Sequence, residues 1–430
     1  MPTLTFDYHC SPAQLGRIVD ASPTPELLQM AAWAQVKAEN WDSERFGIRA
    51  DGELVGACQI LFRRLANRRA LTVAYTARGP VFTTADVPEE WYRLTYAEAE
   101  RVARRHRALV MHVDPPVLRA NARQLYRTLR LAHYTHAGFY TDMREIQPRA
   151  AMMIELSGAP DKLDQQLPKK MRQHVRRATK RPFIYRTVDA DHLDDFVYVI
   201  DEMADRQSIA MRQREYFATL LNAFGDRVTA QVAYLDIEAA RADAEKSLSK
   251  QREDLEAARK VAADSDDEAA AKRVANLERG IERLEAQCAD LASRDDKPLP
   301  LACTLVIYTG DRATYLYGGS TNDYRNYRAP YALIYRCMQQ AAEHFDGKPF
   351  VFDFGGVSGE TDPAKDARHG GLYEFKSSWG AHMVEYVGEF HKPILPVLGH
   401  AFTPATLVYK KVHERIRLAK AGQDQTESAQ

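Results

Sequence analysis

The stretch from Asp353 to Gly380, DFGGVSGETDPAKDARHGGLYEFKSSWG, carries the strongest indication of the fold and is the natural place to begin. With the residues just before it, it starts as a short strand, VFDF, and breaks at the Gly355-Gly356 pair. Glycines at a strand end allow close backbone approach to a ligand, because they carry no Cβ and accept φ values other residues avoid. A polar loop rich in Asp, Lys and Gly follows, and the stretch closes on Phe375-Lys376-Ser377-Ser378-Trp379-Gly380. Loops held on a scaffold are where binding groups concentrate. Lys376, set among aromatic residues, reads either as a desolvated cation aimed at an anionic or electron-rich substrate or as a solvated surface lysine.

Upstream lie strand CTLVIYT, a turn at Gly310-Asp311, strand ATYLYGGS and helix YALIYRCMQQAAEHF. The first half of the chain runs the same way. RFGIRA, an Asp51-Gly52 turn and ELVGACQILFRR form a hairpin signal, followed by strand LTVAYTARGPVF, helix WYRLTYAEAERVARRHRA and strand LVMHVDPP. Asp-Gly between two strand-like runs is among the strongest short-range hairpin patterns. Repetition of hairpin, strand, helix and strand predicts a mixed α/β (α+β) chain of two similar modules, not one doubly wound parallel sheet. A length of 430 residues is likewise too great for one ordinary core. At the end of LVMHVDPP, Asp114 precedes two prolines that stop the strand. It reads as a turn aspartate or as a general base.

Three other segments carry candidate groups. Residues 24–41, TPELLQMAAWAQVKAENW, are predicted as a helix with Lys37 near its end, where a lysine also suits the helix dipole. DKLDQQLPKKMRQHVRRATKR is a helical segment whose Lys169, Lys170, Arg172, Arg176 and Arg177 have no acid interleaved. In a chain with 59 basic and 59 acidic residues, that run is a local anion-binding footprint suited to phosphate, or else a solvated face. RQREYFATLLNAF, from Arg212 to Phe224, is predicted as a helix with Arg212 and Tyr216 one turn apart.

Residues 237–296 change character, being rich in Ala, Glu, Lys, Arg and Asp with one glycine and no proline. Leu248, Leu255, Leu277, Ile281, Leu284 and Leu291 give sparse heptad-like spacing around a polar VAADSDDEAA. Two helices forming an antiparallel coiled-coil arm are expected there. The expected organisation is a first module at 1–150 completed by 386–422, a second at 151–385 carrying the arm, and a disordered tail at 423–430. The five cysteines lack CxxC or metal-ligand spacing, which argues against a disulfide framework and a structural zinc. No signal-peptide pattern opens the chain and no apolar run is long enough to span a bilayer, so a cytoplasmic protein is expected.

Taken in order, LQMAAWAQVKAENW, ARGPV, HVDP, LPKKMRQHVRRATK, RQREYF, YLYGGS, FVFDFGGVSGE, GLYEFKSSWG and YVGEF resemble the Fem family of peptidoglycan-bridge aminoacyltransferases (FemABX or MurM type) across nearly the whole length. The resemblance implies two GNAT-like acyltransferase domains with a cleft between them. It implies transfer from aminoacyl-tRNA to a stem-peptide amine of lipid II or UDP-MurNAc-pentapeptide, without a cofactor. By position, Lys37, Arg212, Tyr216 and Tyr317 would hold the precursor, the first two at its diphosphate. Phe375 and Lys376 would receive the tRNA 3′ end, Lys376 stabilising charge during transfer, with the basic helix on tRNA and Asp114 as a candidate base. The arm resembles that of lipid II-using members, and a monomer in peripheral contact with the inner membrane face is expected. Against this stand an acyl-CoA N-acyltransferase, whose pyrophosphate loop finds no good match here, and a non-catalytic RNA-binding protein.

Overall fold

A computed structural model describes residues 3–395, apart from 66–67, 142, 144–145, 264–267 and 367. Residues 396–422 of the segment expected to complete the first module, and the tail at 423–430, lie outside the described residues.

β1 (Leu4–Asp7) leads into α1 (Pro12–Asp20). Ser11 caps this helix: its hydroxyl accepts the Gln14 N–H while the Gln14 side chain accepts the Ser11 N–H, a reciprocal capping box. Leu15, Ile18 and Val19, at helical spacing, form its buried stripe. The segment expected as one helix over 24–41 is a 3₁₀ turn at Leu27–Gln29, then α2 (Ala31–Lys37), then the start of β2 (Trp41–Ala50). Buried Gln29 lies at the break. Its Nε2 donates to the Ala77 carbonyl at 2.7 Å and its side-chain oxygen accepts the Gln59 N–H at 2.8 Å. That tertiary tie outweighs helix propensity.

β2 and β3 (Glu53–Leu65) form the expected hairpin, with Asp51 at φ 48 and Gly52 at φ 90. β4 (Arg68–Thr76), β5 (Val81–Phe82), α3 (Glu89–Arg105), β6 (Ala108–Val113), α4 (Arg123–Leu131) and β7 (Thr135–His136) follow. The second run comprises β8 (Ala150–Leu156), α5 (Lys169–Ala178), β9 (Phe183–Val188), α6 (Asp194–Gln207), α7 (Arg214–Phe224) and β10 (Val228–Leu235). It continues through α8 (Ile237–Ala263), α9 (Glu268–Ser293), β11 (Leu299–Thr309), β12 (Arg312–Ser320), α10 (Ala329–His344), β13 (Phe350–Val357), α11 (Gly370–Ser378) and β14 (His382–Glu385). β15 (Phe390–Pro393) then returns to the first sheet.

The first sheet is ordered β1-β2-β3-β4-β6-β15-β7, with β5 beside β3. The second is ordered β14-β8-β13-β12-β11-β10-β9. Each holds one parallel pair, β4 with β6 through α3 and β12 with β13 through α10, and is otherwise antiparallel.

Each half has its own apolar core, built in the first on Phe46, Phe62, Tyr96 and Phe390 and in the second on Phe350, Phe352, Phe354 and Trp379. Fully burying one such ring contributes about 1.5–3 kcal/mol. A third cluster joins the halves: Leu15, Trp33 and Val36 pack with Phe196, Phe217, Leu220 and Leu305, bringing α2 against α7.

α8 and α9 interrupt β10 and β11 as a helical hairpin. Ion pairs Arg241–Asp296, Arg252–Glu285 and Arg259–Glu278 show that the helices run in opposite directions. Each is about 40 Å long at 1.5 Å per residue. Leu255, Ile281 and Leu291 are buried and Leu248, Leu277 and Leu284 half-buried. Alanines 240, 244 and 258 share the inner face. Among the described residues no helix is long and apolar enough to cross a membrane.

Candidate active site

β12 and β13 pair over three residues only, Arg312 to Thr314 opposite Val351 to Asp353. Beyond Asp353 the register of β13 against β8 also breaks before resuming at Gly356. The Asp353 carboxylate accepts the Gly355 N–H at 2.7 Å, and Gly355 sits at φ 75, where a side chain would be strained. The stretch read as a loop carries α11, so Lys376 is helical, and it is 6% exposed. Its Nζ donates to the Gly356 carbonyl at 2.7 Å, its one hydrogen-bond acceptor among the described residues. An ammonium has three donors, so this one keeps N–H groups for something else. Burial pulls Lys376 down to about 8, against the opposing pull of Asp353. Phe375, half-buried, meets Tyr331 at 5.8 Å and Trp379 at 6.5 Å, both edge-on.

A second group of candidates assembles where the halves meet. Lys37, ending α2, lies 4.4 Å from the Trp33 ring and 5.1 Å from the Tyr216 ring. Arg212 lies 5.0 Å from the same Tyr216 ring, and the Tyr317 hydroxyl donates to that of Tyr216 at 3.2 Å. Arg212 is not helical as expected; α7 begins at Arg214 with Gln213 as its cap, leaving Arg212 in the approach, still over Tyr216. Neither cation makes an ion pair among the described residues. Burial, and then the charge of Arg212, lower Lys37 to about 8. Two unpaired cations flanked by tyrosine hydroxyls make a site for a polyvalent anion. On β12, Tyr317 belongs to this cluster, and the Tyr315 carbonyl lies 3.7 Å from where a Cβ on Gly355 would be. The strand β12 thus borders both groups, its Tyr315 backbone beside the lysine turn and its Tyr317 hydroxyl in the anion cluster.

The basic helix α5 adjoins the lysine helix. Pro168, its cap, lies 3.0 Å from the position of a Cβ on Gly380, and His174 meets Tyr331 at 5.7 Å. Two of its five basic candidates are engaged locally. Arg172 donates to the carbonyls of Asp164, Gln165 and Leu167, and Arg176 pairs with Asp164 at 2.7 Å. An acid five residues before the run therefore answers part of its charge, which spacing within the run did not reveal. Lys169, Lys170 and Arg177 stand exposed, the two lysines in the first turn, where the helix dipole disfavours a cation.

Asp114 lies apart from both groups, at the end of β6. One oxygen accepts the Tyr75 hydroxyl at 2.8 Å and the other the Arg78 N–H at 2.6 Å, and the residue is 3% exposed. Arg78 stacks on Tyr386 at 4.0 Å. Burial pushes the Asp114 carboxyl up to about 7, against the pull of Arg78 and Tyr75. No contact among the described residues brings it to Lys376.

Two mixed sheets, each with one parallel pair bridged by a helix, give the chain two similar α/β modules. A sequence profile of the FemAB family matches residues 12–406, and the chain belongs to that family. A lipid II:glycine glycyltransferase of Staphylococcus epidermidis is 26% identical over 412 residues, 94% of each chain. One from Staphylococcus aureus is 27% identical over 398 residues, covering 89% of this chain and 91% of its own. The crystal structure of FemX superposes with a TM-score of 0.72 at 25% identity, over 90% of this chain and 96% of that one.

Proposed function

We propose that this protein transfers an aminoacyl group from aminoacyl-tRNA to a stem-peptide amine of a peptidoglycan precursor, with lipid II as acceptor. The observation that carries this reading is the convergence of Lys37 and Arg212 on the Tyr216 ring, from opposite halves of the chain and, among the described residues, without acidic partners. The relatives named lipid II:glycine glycyltransferase support the acceptor class.

On this reading Lys37 and Arg212 bind the precursor's diphosphate, with Tyr216 and Tyr317 lining it. Lys169, Lys170 and Arg177 engage tRNA phosphates, which offsets the dipole cost of lysines in a first turn. Phe375 offers a ring face to the tRNA 3′ end. The acceptor amine attacks the ester carbonyl; the new C–N bond forms, the ester C–O bond breaks, and the ribose oxygen leaves with a proton. Lys376 stabilises the oxyanion that develops, using N–H groups that Gly356 does not take. Asp114, its oxygens committed to Tyr75 and Arg78, serves as an anchor and transfers no proton. The domain reading follows the sheets, with Phe390–Pro393 completing the first and the helical hairpin belonging to the second.

The test is an in vitro transfer assay with purified protein, total charged tRNA and either lipid II or UDP-MurNAc-pentapeptide, read by acceptor mass. Gain of one aminoacyl residue on lipid II is expected. No gain on either acceptor overturns the proposal, and gain without charged tRNA removes the donor assignment.

A further inference from the structure

Lys376 rests on a turn that it does not build. The Asp353 carboxylate holds the Gly355 N–H at 2.7 Å with one oxygen, fixing the turn that presents the Gly356 carbonyl to Lys376 Nζ. Its other oxygen lies 3.7 Å from Nη1 of Arg312. The same Nη1 is 3.1 Å from Glu26, which comes from the first half of the chain. Tyr386 closes the group, its hydroxyl 3.4 Å from both Arg312 and Glu26. Glu26, Arg312, Asp353, Tyr386 and Lys376 are all less than 8% exposed.

We infer that Asp353 is the positioning residue for Lys376, and that Arg312 and Glu26 carry this role across the contact between the two halves. The inference rests on the proposed transfer for its catalytic meaning, but the geometry stands without it. One side chain both fixes the carbonyl that Lys376 binds and supplies a negative charge that favours its ammonium. Among the described residues Asp353 is the one charged group that acts on Lys376. The carboxylates on the approach to α11 are turned elsewhere, Asp362 to the Ala364 N–H and Lys365, and Asp366 to the Arg368 and His369 N–H groups. From α10 the helix meets Tyr331, and from β13 Phe354.

The sign follows from charge. Asp353→Asn removes the negative charge that favours the Lys376 ammonium. An ammonium that loses a nearby negative charge gives up its proton more readily. Asp353→Asn retains an oxygen for the Gly355 N–H and so separates the charge from the turn.

The experiment is competitive acetylation of lysine amines in the full chain across the alkaline range, with Lys376 read by peptide mass spectrometry, alongside the pH profile of transfer. In Asp353→Asn the pH at which Lys376 becomes reactive should fall by about one pH unit, and the alkaline limb of transfer should fall with it. A purely structural role predicts lower kcat with neither midpoint moved, and that result in folded Asp353→Asn overturns the inference. Where Asp353→Asn does not fold, Asp353→Ser, which keeps a short acceptor for the Gly355 N–H and carries no charge, decides, and an unmoved midpoint there overturns it. Movement of the acetylation midpoint in a protein that transfers nothing refutes the proposed function and leaves the positioning role intact.

Discussion

β4 and β6 stay paired to their last residues, Thr76 opposite Val113, whereas β12 and β13 part after Thr314 and Asp353. At the end of the first pair a buried acid, Asp114, has both oxygens bonded, and Arg78 packs above it on Tyr386. Where the second pair parts, a buried base, Lys376, has one carbonyl for its three donors. A buried polar group with its partners satisfied holds a fold together, whereas one with donors to spare is held ready for a ligand. Two similar frameworks thus end in opposite chemistry, and the degree of satisfaction tells them apart better than burial does.

The sharpest way to break this comparison is to remove the lysine. Lys376→Met should lower kcat about 10²–10³-fold. Its melting temperature should hold or rise, since an apolar side chain of similar size relieves a buried charge. A large loss of stability would place Lys376 with the structural group instead. Next in size is Arg212→Ala. Loss of a charge-assisted contact worth about 1.5–3 kcal/mol should raise KM for the precursor roughly 10–150-fold by the usual free-energy relation, with kcat little changed. A matching loss in kcat would mean that Arg212 acts on the reacting atoms.

Asp114→Asn tests the other end. Mispairing with Tyr75 or the Arg78 N–H should cost about 1–3 kcal/mol in denaturant unfolding, with transfer by the folded protein unchanged. Loss of transfer at full stability would restore Asp114 as a base. The smallest effect concerns pH. Lys37 and Lys376 both lie near 8, below the ordinary 10.5. Above about pH 8, KM should rise as Lys37 loses its proton and kcat should fall as Lys376 does. Lys37→Arg should flatten the KM rise and leave the kcat fall. Stability runs the other way. A lysine that holds its proton more weakly when folded makes unfolding take up protons, so its contribution rises with pH between those two values. Comparing unfolding of wild type and Lys376→Met across that range isolates it.

Much of this was legible in the sequence. Asp51-Gly52 marked its hairpin, and the repeated order of strand, helix and strand marked a mixed α/β chain. Lys37, Arg212 and Tyr216 came from segments matched in order, and the fold brings them together. What escaped lies in long-range polar pairing. Glu26 and Arg312 are 286 positions apart and have no local pattern. Gln29 breaks a helix through bonds to Gln59 and Ala77, which no periodicity announces. α11 was read as loop because Gly370-Gly371 opens it. Glycine is a poor helix former, and packing of Phe375 and Trp379 on Tyr331 supplies what propensity lacks.

The helical hairpin leaves and rejoins the second sheet at neighbouring positions, with Leu235 facing Leu299 across the β10–β11 ladder. Its two ends are therefore one strand spacing apart, about 5 Å. For the sheet, the whole excursion is equivalent to a tight turn. Beyond its base, where Ile237, Ala240, Ala244 and Leu291 pack against Leu301 and Leu333, such an appendage behaves as a cassette whose length can vary without shifting the register of β10 against β11, and so without disturbing the strands that carry Tyr317 and Asp353. Reach and chemistry are separately adjustable in this chain, one by the span of α8 and α9, the other by a handful of side chains beyond β12.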